Sequence, residues 1–276
     1  MTGQNTDDEF TLVHFDLTWE NAWKINSGPS NYAGAWGFLK FKEKSGNWDH
    51  GTVNYVDGTA AGYGNTETIG YTIITKSDGI GVFVYRNADG NGNTNFTEIQ
   101  LRWNYRFDAV AEESIIDIQV FAIEMIYIPQ GIFSLGSGAG GLEVNSFYTN
   151  TGSFGFKTPY DISSESALTI SSATGELCYD AASGSGGDQL EPIPAAFPKG
   201  YDAYWIMKYE ISEDQWICFF SSLTETLKNA HDVTDFNHKN SDLVVDRNTI
   251  TFESGNATTL APSGAINFLS YEDNAA

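Results

Sequence analysis

Basic residues are scarce in this chain: 14 Lys and Arg stand against 36 Asp and Glu, a formal charge of −22 spread along the whole sequence. A field of that sign repels phosphate backbones and anionic lipid, which argues against nucleic-acid binding and against docking on an anionic membrane through a basic patch. Cysteine is nearly absent. Cys178 and Cys218 alone supply neither a disulfide framework nor a zinc quartet of thiolates. Their spacing neither supports nor forbids a pairing in an exported chain; Cys218, in an apolar helical pattern, reads as buried, and Cys178, in a Ser/Gly-rich stretch, as the more exposed of the two. Long hydrophobic runs are missing as well. The most apolar stretch, Ile115 to Tyr127, is broken by Asp117 and Glu124, so no membrane span is expected. Met1 is followed by the polar segment Thr2 to Glu9, with no basic region and no apolar core of a leader, and no export signal is legible in it.

What is there reads as β structure. The 276 residues are 41% hydrophobic and 14% aromatic, with 28 Gly and only 7 Pro, enough chain for one large or two ordinary domains, with two preferred. From Phe10 to Phe121 apolar and polar residues alternate in short bursts between Gly, Asn and Asp clusters, the period-2 pattern of half-buried strands. The run Phe10–Trp19 puts Phe10, Leu12 and His14 on one face and Thr11, Val13, Phe15 and Leu17 on the other. Residues 35–56 predict two strands joined at Ser45-Gly46-Asn47, and residues 69–105 predict three more, with turns at Ser77-Asp78-Gly79 and Asp89-Gly90. A β-sandwich of roughly 7 or 8 strands closes such a pattern.

A nearly continuous apolar strand follows, entering a Gly-rich turn, and the domain boundary is expected near residue 122: a β-sandwich over 1–121 and a second domain over 122–276. Ser137 to Ala195, rich in Ser, Gly and Thr, reads as a long weakly structured region suited to binding loops or assembly contacts. One helix is expected from Ser212, where Ser212 and Gln215 form a capping box and Trp216, Phe219, Phe220, Leu223 and Leu227 make an apolar stripe that reads as a core face. A second helix is expected to begin at Ser270.

Two stretches resemble a known family. "AIEMIYIPQGIFSLGS" followed by "YDAYWIMKYEISEDQWICFFSSL" is similar to the opening of the formylglycine-generating (sulfatase-modifying factor) domain, whose first strand reads "M-V-x-I-P-G-G-x-F-x-M-G" and whose first helix is entered through "F-x-I-x-K-Y-E-V-T-x-x-Q-Y". The matching residues are Met125, Ile128, Pro129, Gly131, Phe133 and Gly136, then Ile206, Lys208, Tyr209, Glu210, Ile211, Ser212 and Gln215. The tail "GAINFLSYEDNAA" is similar to that family's "P-V-x-x-V-S-W-x-D-A-x-A-Y", without the "R-L-P-T-E-A-E-W-E" segment that normally follows. The resemblance therefore covers residues 122 to 276 and only the first half of the family's α+β, C-type-lectin-like fold. The N-terminal part looks like the β domain that precedes such modules in exported Bacteroidetes-type proteins. The family oxidises a substrate cysteine to formylglycine with a copper-binding cysteine pair in its later half. Cys178 and Cys218 match neither position, so the resemblance carries no catalytic residues to this chain.

Side-chain chemistry supplies further candidates, each with a plainer alternative. Asp89, Asn91, Asn93 and Asn95 alternate in "DGNGNTN"; Asp89, Asn91 and Asn93 are calcium candidates, although turn chemistry accounts for the pattern without a metal. His231, Asp232, Asp235 and His238 are close enough to suggest a metal cluster, but their spacing suits a solvated loop better. His14 and His50 fall in or beside strands, without the nucleophile-and-base spacing of a hydrolase. "SLGSGAGG" lacks the lysine of a phosphate loop and reads as a turn. Trp19, Trp23, Trp36, Trp48 and Trp103, with Tyr32, Tyr55 and Tyr85, offer either a sugar platform or a sandwich core, and period-2 placement favours the core. Asn95 and Asn256 head N-glycosylation sequons.

These readings converge on a non-catalytic extracellular or cell-surface protein, structural or adhesive, that associates with itself or with other surface proteins through long loops and incomplete sheet edges. No cofactor is expected beyond the calcium candidate. The alternatives are a fragment of a sulfatase-modifying oxidoreductase that lacks its catalytic half, and a glycan-binding module.

Overall fold

A computed structural model describes residues 1–44, 46–53, 70–76, 78–136, 147–151, 157–171, 173–179, 192–231, 250–253 and 256–259. The fold is mainly β, built on a curled antiparallel sheet. Along the chain run β1 (Thr2–Asn5), β2 (Phe10–Lys24), β3 (Tyr32–Glu43), β4 (Asp49–Gly51), β5 (Tyr71–Thr75), β6 (Val82–Arg86), β7 (Gly90–Trp103) and β8 (Ile116–Ile128). The order β1-β2-β3-β6-β5 forms the spine of the sheet; β7 joins it on β2, and β4 and β8 join it on β3. The mainly-β expectation holds, and the curled antiparallel sheet is consistent with a β-sandwich. The fold line is the β2–β3 connection, where Lys24 pairs with Tyr32.

Alternation explains which face folds inward. Val13, Phe96, Ile99, Leu101 and Trp103 of the β2–β7 ribbon meet Leu39, Phe41, Tyr71, Val82 and Val84 of β3, β5 and β6 in one core, which Phe15 and Leu17 flank. Rings interlock across it: Phe41 lies 5.0 Å from Trp103 and Tyr71 lies 5.2 Å from Phe96. Each fully buried large apolar side chain of this kind contributes about 1.5–3 kcal/mol. Gly81 packs where nothing larger fits, since a Cβ there would stand 2.5 Å from the Trp36 ring and 2.7 Å from the Gly37 carbonyl oxygen.

The Asp89-Gly90 turn does not close a hairpin, because β7 pairs with β2 rather than with β6. The β2–β7 ladder carries two irregularities. Glu98 and Asn21 adopt φ of 58° and 55°, and each displaced amide finds a side-chain acceptor: Glu98 N–H donates to Asp16 Oδ1 at 2.9 Å and Asn21 N–H to Asn93 Oδ1 at 3.3 Å.

The chain separates into two compact units. Residues 1–126 together with 207–276 form the first unit and 127–206 the second. The C-terminal segment joins the first unit because helix α1 (Glu213–Ser221) covers a face of β3 that the core leaves open. Phe219 stands edge-on to Phe38 and Phe121, 6.0 Å from each. The expected single helix from Ser212 is two: Ser222 ends α1, and Thr224 caps α2 (Glu225–Ala230). Both hydroxyls bond to backbone, Ser222 to the Phe219 carbonyl and Thr224 to the Leu227 amide, and so compete with continuation of one helix. The apolar stripe divides accordingly: Phe220 is buried and Leu227 is exposed.

In the second unit, β9 (Phe133–Leu135) pairs with β12 (Tyr160–Ile162), and β10 (Phe147–Asn150) pairs with both β11 (Lys157–Thr158) and β13 (Leu177–Tyr179). The region expected to be weakly structured therefore contains short strands, which polar sequence composition concealed. Gly136 is required after β9: its φ is +81°, and a Cβ would fall 2.1 Å from the Phe147 carbonyl oxygen. The Glu165 carboxylate organises the loop before β14 (Tyr204–Met207), accepting backbone N–H bonds from Lys199, Tyr201 and Asp202 at 2.5, 2.8 and 3.0 Å. Those bonds, that from Lys199 first, hold its pKa below the ordinary glutamate value. β14 pairs with β8, and a separate hairpin is made by β15 (Ile250–Glu253) and β16 (Asn256–Thr259). The helix expected from Ser270 lies outside the described residues.

Candidate functional site

The site grows from the face of β3 that points away from the core. Strand alternation puts Trp36, Phe38 and Lys40 on that face, and on β8 it puts Gln119, Phe121 and Ile123 on the corresponding side. Phe38 and Phe121 stack at 5.1 Å with a 10° interplanar angle. Above them passes the segment from Met207 to Ile211, followed by α1, whose capping box sets its start: Gln215 N–H donates to Ser212 Oγ and Ser212 N–H to Gln215 Oε1. Helical spacing then turns Ile211, Asp214, Gln215, Cys218 and Phe219 to one side. Together these elements enclose a cleft of about 580 Å³, within the range of small-molecule sites.

Two ammonium groups are built into its surroundings. Lys40, only 8% exposed, donates to the Ser222 carbonyl at 2.8 Å and sits 5.6 Å from the Phe219 ring centroid. Burial pushes its pKa below the ordinary lysine value, against the pull of the Asp49 carboxylate. Lys208 bonds the Glu124 carboxylate at 2.5 Å and lies over the rings of Tyr209 and Trp23, at 5.0 and 5.5 Å. Burial opposes that charge, yet Glu124 and Tyr209 outweigh it and hold the pKa above the ordinary value. Three carboxylates line the cleft, Glu124, Glu210 and Asp214; among its lining residues there is no lysine, arginine or histidine.

No family model, no curated protein and no solved structure matches the chain. The residues that carry the sequence resemblance fall on adjacent backbone. Lys208 N–H donates to the Glu124 carbonyl in the first unit, and Gly131 N–H donates to the Tyr201 carbonyl in the second. Met125 and Ile128 end β8, while Glu210, Ile211 and Gln215 line the cleft.

The structure disperses the other candidates. Asp89 precedes β7, and Asn91 and Asn93 are successive same-face positions within it, about 7 Å apart in an extended strand, so they do not wrap around a common point. Asn93 Oδ1 serves the Asn21 amide, and Asn95 Oδ1 accepts from the Thr18 hydroxyl. His231 closes α2, while Asp232, Asp235 and His238 lie outside the described residues; among the described residues no three His, Cys, Asp or Glu side chains gather as a metal site would need. His14 faces Glu98 at 3.7 Å, and His50 Nε2 lies 2.6 Å from the Ile80 carbonyl.

The tryptophans have separate partners: Trp103 is buried in the core, Trp19 meets Phe96, Trp36 meets Phe83, Trp48 lies beneath Lys42, and Trp23 donates to Asn31. Tyr32 and Tyr85 form a pair beneath Lys24, and Tyr55 lies outside the described residues. Both cysteines are free thiols, and their exposure reverses the sequence reading. Cys178 points inward from β13, whereas Cys218 is on the cleft side of α1, a side the stripe of Trp216 and Phe220 did not reveal. The cleft was missed in the sequence because its parts are about 90 residues apart; the one available signal was the doubly apolar β3, too hydrophobic for a strand with a solvent face.

Proposed function

We propose that this chain is a non-catalytic, structural or adhesive protein of the cell exterior, and that its second unit associates with further copies of the chain or with other surface proteins. The observation that supports this reading most directly is the balance of apolar side chains in that unit. Among its described residues Ile162, Leu177 and Cys178 are the buried hydrophobics, whereas Ile132, Phe133, Phe197, Tyr204 and Ile206 are exposed. With three buried hydrophobics among its described residues, this unit gains more from covering its exposed apolar side chains than from leaving them in water. The formal charge of −22 directs that contact toward apolar or basic surfaces and away from anionic ones.

Catalysis by the chemistry of the formylglycine-generating family would need its cysteine pair, and Cys178 and Cys218 match neither position of that pair in the sequence resemblance. The reading is tested by replacing Ile132 and Phe197, 67% and 60% exposed, with serine. Such exposed positions tolerate the change without unfolding. Association is expected to weaken in the double variant; association at native strength would overturn the role assigned to the second unit.

A further inference from the structure

We infer that the cleft bounded by β3, β8 and α1 binds a small organic ammonium compound, a molecule with an apolar body and one amine. This is independent of association through the second unit, because every lining residue belongs to the first. Three features select that chemistry. The walls are aromatic, from Trp36, Phe38, Phe121, Tyr209 and Phe219, and supply both apolar area and ring faces with negative potential. The charged side chains that line the cleft are all carboxylates, with the Lys40 and Lys208 ammonium groups beside the Phe219 and Tyr209 rings at its edge, and of the three carboxylates only Glu124 is paired, with Lys208. Glu210 and Asp214 engage no partner among the described residues, so an incoming cation is attracted and a phosphate or carboxylate is repelled.

The third feature is that the protein itself already uses this setting to hold ammonium groups. Lys208 rests against a carboxylate and two aromatic rings, and Lys40 rests beside Phe219. A ligand amine placed between Glu210 and Asp214 would meet the same combination of carboxylate and ring face, with its apolar portion over Phe121 and Phe219. The volume of about 580 Å³ suits a molecule of drug-like size or smaller.

The test is calorimetric titration of the full chain with 2-phenylethylammonium, with 2-phenylethanol as the uncharged counterpart and phenylacetate as the anion. Binding of the ammonium, at least about tenfold tighter than the alcohol and with phenylacetate undetected, is the expected order. The E210Q/D214N variant removes only partly or fully exposed carboxylates, and circular dichroism checks that it stays folded. It is expected to lose about tenfold in ammonium affinity and to leave the alcohol unchanged. Absence of ammonium binding at millimolar concentration, equal binding of the alcohol, or an unchanged affinity in the folded variant would each overturn the inference.

Discussion

The Lys40 ammonium, on a strand, closes a helix: its Nζ donates at 2.8 Å to the carbonyl of Ser222, the C-cap of α1, and both residues are buried. A cation at that position meets the negative end of the helix dipole and an otherwise orphaned carbonyl. Burial nevertheless disfavours the charge and lowers the pKa, so the unfolded lysine binds its proton more tightly than the folded one. The proton therefore opposes folding at neutral pH, and stability rises as the pH climbs from the folded pKa toward the ordinary value of 10.5. Lys40→Met is expected to cost about 1 kcal/mol at neutral pH through the unpaired carbonyl and to abolish that rise. Urea unfolding of both proteins across pH measures it.

Lys208 is its opposite in sign. The Glu124 carboxylate raises the folded pKa above 10.5, so this contribution is fully present below 10.5 and is lost only as the pH rises through the raised value. With side chains 10% and 19% exposed, the pair is partly desolvated. Lys208→Met is expected to cost about 2–3 kcal/mol, short of the roughly 3–5 kcal/mol of a fully buried pair, and Glu124→Gln in the same background to restore part of the loss. Chemical denaturation of the single and double variants supplies the cycle.

Asp108 holds three donors: the Thr52 amide at 2.8 Å, the Thr52 hydroxyl at 2.6 Å and the Trp103 indole N–H at 2.6 Å. Asp108→Ala orphans an indole buried in the core, and a loss of about 2–3 kcal/mol is expected. Trp103 fluorescence should report a rearranged environment in the same variant.

Gly81→Ala drives a methyl group into the Trp36 ring and the Gly37 carbonyl. Because one obstacle is backbone, relief requires the β3–β6 pairing to shift, at about 1–3 kcal/mol. A fall in the thermal midpoint is expected, whereas the exposed Gly131, outside the left-handed region and with no atom within 4 Å of an added Cβ, gives no such steric clash.

How far these features could be read from the sequence depended on their range. That Thr11, Val13, Phe15 and Leu17 share one face of β2 was legible, because period-2 alternation is a local property, and the structure turns that face to the core. The partner of β7 was not legible, since the bulges at Asp16 and Asn21 that fit it to β2 depend on side chains far along the chain. The same holds for the candidate site. Lys40 meets its carbonyl partner only through α1, about 180 positions later, a contact no local pattern reveals. Cys218 reads as core until the helix proves to turn Phe220 inward and the cysteine toward the cleft. In the second unit, a Ser/Gly-rich composition hid short strands whose ladders are specified by contacts rather than by propensity.

The most direct test of the account is the assembly state of the native chain, followed by light scattering across a dilution series from about 1 to 100 μM, a span over which micromolar contacts form and dissociate. A mass that grows with concentration beyond that of the 30.2 kDa chain is the predicted result. A constant monomer mass across the series would contradict self-association through the exposed apolar side chains of the second unit.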